Sequence, residues 1–70
     1  MPNNEWLDVF ASNLIYWLQQ SDMTQRDLAQ RTGLSEASIS NYIKKKQAPS
    51  FNAVRSIANT FGTQIEDLTG

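Results

Sequence analysis

The sequence contains no cysteine and no histidine. Disulfides, thiolate metal sites and imidazole ligands are therefore excluded, as are the usual general base and the thiolate nucleophile of many enzymes. Without cysteine there is no redox indication of compartment, and the cytoplasm is the default expectation. Long apolar runs are lacking too. The longest, residues 14–18, falls far short of the roughly 20 residues that span a bilayer. The opening MPNNEW holds no cation, so no targeting segment and no membrane association are expected. Three glycines, none clustered, exclude a phosphate-cradling loop. The remaining acids, such as Glu66 and Asp67, stand where helix caps and solvated faces explain them. No enzyme, metal site, cofactor or small-molecule ligand is expected.

Positive charge is also scarce. Six Lys and Arg face seven acids, for a net charge of −1 and a pI of about 5.0. That balance argues against a strongly electrostatic partner. Its distribution is uneven, however, since three of the six cations are Lys44, Lys45 and Lys46.

What the chain does have is helical periodicity. Its 70 residues, 40% hydrophobic and 19% charged, suit one small domain over residues 1–70. With no covalent staple, helix packing or oligomerisation must stabilise it. A first helix is expected over residues 5–20, with Asn3 and Asn4 as candidate caps. Trp6, Leu7, Phe10, Ala11, Leu14, Trp17 and Leu18 form its apolar face. Val9 and Tyr16, one heptad apart, fall outside that face. They are either scattered exposed apolars or part of a partner surface.

Thr24 stands at an N-cap and Asp27 three places on, opening a second helix over residues 25–32 with Leu28 and Ala29 inward. The small Ala29 suits a close helix crossing. Gly33 follows where a left-handed backbone is needed. Ser35 caps a third helix from residue 36 to about 44, with Ile39, Tyr42 and Ile43 inward and Leu34 packing from before the cap. Glu36 at its start and lysines at its end suit its dipole. Residues 45–49 form a connector. Ser50 caps a fourth helix over residues 51–61, with Phe51, Val54, Ile57, Ala58 and Phe61 as core, and Gly62 ends it. Residues 63–66 read as a capping box from Thr63 to Glu66, opening a last turn with Ile65 and Leu68 apolar. No repeat and no strand pattern is present. The fold class is all-α.

Residues 24–46 organise the rest: two short helices, a tight turn at Gly33, then small polar side chains and three lysines. Gln25, Leu28, Ala29, Gly33, Leu34, Ser35, Ile39 and Tyr42 stand at the spacing of a known family. The fourth-helix pattern and Phe61-Gly62 followed by Ile65 and Leu68 match it as well. Over residues 6–68 the chain resembles the phage-repressor and Cro type (XRE-like) helix-turn-helix domain. That resemblance implies a compact five-helix, lambda-repressor-like fold with the helix-turn-helix at residues 24–44. It also implies double-stranded DNA as partner. Members often follow the third helix with Glu, any residue, Gly; here those places read Ile43, Lys44, Lys45. Many pair that Glu with a basic residue late in the first helix, where this chain has Leu18. Leu18 and Ile43 are therefore expected to replace a buried ion pair by an apolar contact, an exchange that is often neutral or stabilising.

In such a domain the start of the third helix meets base edges. Here those residues are Glu36, Ala37, Ser38 and Asn41. Asn41 can pair with adenine through two hydrogen bonds, Glu36 can accept from cytosine, and Ala37 can touch a thymine methyl. Phosphate contacts are expected from Gln25, by the resemblance, and from Ser35, Lys44, Lys45, Lys46 and Asn52. So few cations bind weakly singly, which makes a homodimer on a two-fold site the natural expectation. Candidate dimer surfaces are the Ile65–Leu68 end, favoured by the resemblance, and the Val9–Tyr16 stripe. The expected function is a sequence-specific transcriptional regulator, more specifically a repressor on a palindromic operator, since nothing is left over for activation or sensing. The alternative is a protein-binding adaptor or antirepressor that keeps the fold without DNA binding. The Leu18–Ile43 exchange is testable by itself: Ile43→Glu should lower the thermal midpoint, and an unchanged midpoint would refute it.

Overall fold

Helix starts in this chain are set by side chains that take up free backbone amides. Thr24 Oγ1 accepts from the Asp27 amide at 3.0 Å, and the Asp27 carboxylate accepts from the Thr24 amide at 3.0 Å. Ser35 Oγ accepts from the Ser38 amide at 3.0 Å, and Ser50 Oγ from the Ala53 amide at 3.1 Å. Each such cap contributes about 1 kcal/mol. They begin α2 (Gln25–Thr32), α3 (Glu36–Ile43) and α4 (Phe51–Phe61), preceded by α1 (Glu5–Gln20) and followed by α5 (Glu66–Thr69). These elements come from a computed structural model that describes residues 5–70. The candidate caps Asn3 and Asn4 lie outside the described residues. The described residues contain no strand, and the fold is the expected all-α arrangement.

Four helix ends turn through a left-handed residue: Asp22 (φ 54°), Gly33 (φ 79°), Lys45 (φ 62°) and Gly62 (φ 71°). At three of them the paired hydrogen bonds of a Schellman turn form. After α3, the Lys45 amide donates to the Tyr42 carbonyl at 3.1 Å and the Lys46 amide to the Asn41 carbonyl at 2.8 Å. A left-handed turn that glycine would adopt without strain thus forms here on a lysine.

The core is wholly apolar among the described residues. Phe10, Leu14, Leu28, Ile39, Ile57 and Leu68 are fully buried. Helix α1 packs on α3 and α5, while α2 packs on α3 and α4. Phe10 and Tyr42 meet edge to face, with ring centres 6.0 Å apart, joining α1 to α3. Leu18 lies in the core cluster and the half-buried Ile43 packs against it.

Three expectations are corrected. Trp6, placed on the apolar face, is 43% exposed. It sits at the edge of that face in the first turn, where its ring meets that of Phe10. Phe51 is 65% exposed. Side chains tilt toward a helix's N-terminus, so the first residue of α4 projects past the packed layer. The box at Thr63 closes on Asp67 and not on Glu66. The Thr63 hydroxyl and the Gln64 amide both donate to the Asp67 carboxylate, the latter at 3.0 Å. A tight turn, with the Asp67 amide on the Gln64 carbonyl, leads into α5, which starts at Glu66 and leaves that residue exposed. The chain end is also less open than its apolar residues suggested. Leu68 is fully buried, and Asn13 Nδ2 donates to the Leu68 carbonyl at 2.9 Å.

Two pairs of measurements follow. No atom lies within 4 Å of a Cβ built on Gly33, so Gly33→Ala suffers from backbone strain alone. It should destabilise by about 1 kcal/mol in urea titrations. Lys45→Gly should act oppositely, adding about 0.5–1 kcal/mol. Hydrogen bonds from Thr24, the backbone one foremost, hold the Asp27 carboxyl below its ordinary range, helped by Arg31 and Arg26. A depressed native value means stability that is complete above the unfolded value, about 3.9, and lost as pH falls through the lower native one. Wild type and Asp27→Asn should therefore differ in stability at neutral pH and converge in strong acid.

Candidate nucleic-acid interface

Burial of Ile39 and Tyr42 fixes the rotation of α3 and so decides which side chains it offers to solvent. Ala37, Ser40, Asn41 and Lys44 follow one another at i, i+3, i+4 and i+7, the ridge opposite that buried pair. Ala37 and Lys44 are exposed, and Ser40 and Asn41 are half-buried. Glu36, exposed, flanks one side of the ridge and Ser38, half-buried, the other. Ser40 was absent from the expected set, although the same helical spacing that marks Ala37 and Asn41 also marks it.

Two of the expected contacts are engaged locally. The Ser35 hydroxyl donates to Ser38 Oγ at 2.9 Å while accepting the Ser38 amide, so each serine orients the other. Asn41 Nδ2 donates to Gln47 Oε1 at 3.4 Å. Gln47 lies in the connector, and no local pattern in the sequence links it to Asn41. The pair ties the middle of the ridge to the segment that leads into α4.

At the entrance of α2 the anion-binding groups are backbone. The first amides of a helix have no intrahelical acceptor. The Thr24 cap takes the Asp27 amide and the Asp27 carboxylate takes the Thr24 amide, and neither capping side chain takes those of Gln25 and Arg26. The Gln25 side chain is exposed beside them. Next to this entrance lies an open concavity of about 520 Å³. Ile15, Leu18, Met23 and Ile43 supply its apolar wall, and Gln19, Asp22, Thr24 and Gln25 the rest. Leu18 and Ile43 therefore line one space.

The lysines divide. Lys44 and Lys46 are exposed at the end of α3. Lys45 turns back, its Nζ 3.2 Å from Asp8 Oδ1 on α1. Both groups of that pair are more than half exposed, so it contributes little to stability. Asn52 is exposed in the first turn of α4, next to the exposed Phe51. The structure thus brings Gln25, the α3 ridge, Lys44, Lys46 and Asn52 out of the core, and withdraws part of the charge of Lys45. No described helix is long and apolar enough to cross a membrane.

Comparison with known proteins gives three results. Residues 14–68 match the family model described as helix-turn-helix. An uncharacterized HTH-type transcriptional regulator of Methanocaldococcus jannaschii is 37% identical over 57 residues, covering 81% of this chain and 86% of that protein. The solution structure of the SOS-response transcriptional repressor LexA from Eubacterium rectale superposes with a TM-score of 0.88 at 24% identity. That match covers 100% of this chain and 74% of the other, and at such identity it speaks to the fold.

Proposed function

This chain belongs to the helix-turn-helix family of the XRE type, and we propose that within it the protein is a sequence-specific repressor that occupies a palindromic operator through α3. Family membership supports a DNA-binding transcriptional regulator rather than an enzyme. The observation that carries the finer reading is the division of α3. Ile39 and Tyr42 are locked into the core, so Ala37, Ser40, Asn41 and Lys44 stand on a rigid outward ridge. A helix presented in this way fits the major groove, with its first turns against base edges. Residues 1–70 act as one DNA-binding domain in this reading.

Glu36, Ala37, Ser38 and Asn41 then read bases, joined by Ser40. Gln25 with the first amides of α2, Ser35, Lys44, Lys46 and Asn52 hold phosphates on either side of the groove. Lys45 joins them by exchanging Asp8 for a phosphate, a small loss for an exposed pair. One protomer has few cations to displace counterions, so two protomers on half-sites about one helical turn apart supply the affinity. Repression by occupancy requires no surface beyond this one.

The test is a selection of bound duplexes from random DNA, followed by fluorescence anisotropy on the selected site. Gln25→Ala and Lys44→Ala should weaken binding to every duplex, and Lys44→Ala should lower the slope of log affinity against log salt by about 1. Asn41→Ala should cost about 1–3 kcal/mol on the selected site and relax the preference at one position. If no duplex binds in a salt-dependent way, the protein-binding adaptor remains.

A further inference from the structure

We propose that Gln47, in the connector after α3, is a positioning residue that sets which way round the Asn41 amide faces, and thereby which purine α3 selects. The inference rests on the operator reading above and deepens it, placing Gln47 behind the base-reading residue and not against a base. Asn41 lies half-buried in the middle of the outward ridge. The connector returns to it twice. The Lys46 amide donates to the Asn41 carbonyl at 2.8 Å, and Asn41 Nδ2 donates to Gln47 Oε1 at 3.4 Å. The path of the connector is held at both ends. At its start the Lys45 amide closes on the Tyr42 carbonyl. Beyond Gln47 the chain passes through the buried Pro49 to the Ser50 cap of α4. Backbone that owes nothing to a bound partner therefore brings residue 47 to the ridge.

The chemistry of the amide turns this contact into a choice of base. An asparagine side chain has two donor hydrogens on Nδ2 and one acceptor atom, Oδ1. With one hydrogen taken by Gln47 Oε1, a donor and an acceptor remain. That set matches adenine, whose major-groove edge offers N7 as acceptor and the N6 amine as donor. Turned round, with Oδ1 accepting from Gln47 Nε2, Asn41 would offer only hydrogens. Those match guanine, whose N7 and O6 both accept. Among the described residues the Asn41 amide has no other side-chain partner, so Gln47 is the residue that decides between the two. Exposed and at 3.4 Å, the contact adds little to stability. A groove that excludes water strengthens it at the moment when the base is read.

The test compares the affinities of the full chain for two duplexes. They differ only in adenine or guanine at the base pair whose preference Asn41→Ala relaxes. Charge added or lost at residue 47 acts on both duplexes alike and cancels in the ratio. Wild type should prefer adenine by about 10-fold. Gln47→Glu, which can only accept, should keep that preference. Gln47→Met, similar in length and without a strong donor or acceptor, should remove most of it. Gln47→Lys, which can only donate, should reverse it in favour of guanine. In an Asn41→Ala background none of the three should move the ratio, whereas a direct base contact from residue 47 would survive there. Without DNA, Gln47→Met should shift the Asn41 side-chain amide resonances and leave the thermal midpoint unchanged. A ratio indifferent to all three substitutions overturns the proposal. So does one that still responds without Asn41, a wild-type preference for guanine, or unshifted Asn41 resonances. If no duplex binds at all, the operator reading fails and takes this inference with it. If a site is selected and residue 47 does not matter, this inference alone fails.

Discussion

The angle between two eight-residue helices depends here on a core without a single buried polar group among the described residues. Helices of that length are marginal alone in water. Leu28 from α2 and Ile39 from α3 become fully buried only because Phe10 and Leu14 of α1, Ile57 of α4 and Leu68 of α5 complete the same cluster. The long α1 is therefore the wall against which α3 packs, while α2 rests on α3 and α4. Every outward residue of α3 owes its position to inward residues that a partner would never touch. Changes at Ile39 or Leu28 would shift the outward residues of α3 without replacing any of them.

Local chemistry was legible in the sequence and distant geometry was not. The bounds of α2 and α4 and the start of α3 followed from caps and glycines, since Thr24, Ser35, Ser50, Gly33 and Gly62 act within a few residues of themselves. Helical periodicity found most of the core. It failed for Trp6 and Phe51, because a wheel describes angle and not where the neighbouring layer stops. It also failed at Thr63, where two adjacent acids compete and a tight turn selects Asp67 over Glu66. In the candidate site, the outward ridge of α3 was readable from spacing, and Ser40 could have been found by the same spacing. The Asn41–Gln47 and Lys45–Asp8 pairs could not, since each depends on the path of the connector.

The net charge of −1 looked like an argument against a polyanionic partner. The structure places much of the negative charge where it is already used. Asp27 and Asp67 are occupied in helix caps, and Asp8 sits beside Lys45 on α1. Lys44 and Lys46 stay exposed at the edge of α3. The total conceals a division between an acidic frame and a locally positive rim. Glu36 is the exception, an exposed acid in the first turn of α3 itself.

Lys45 sits in a left-handed conformation that a side chain adopts at a cost of roughly 1 kcal/mol. That strain is released whenever the last turn of α3 opens, so the opening free energy is lowered by the same amount. Hydrogen exchange should accordingly be faster at the Lys45 and Lys46 amides than at the ends closed by Gly33 and Gly62. The end of α3 thus opens more readily than the helix ends closed by Gly33 and Gly62. In the DNA-binding reading proposed for this chain, that lets the lysine-rich segment settle onto a phosphate backbone while the rest of α3 stays fixed.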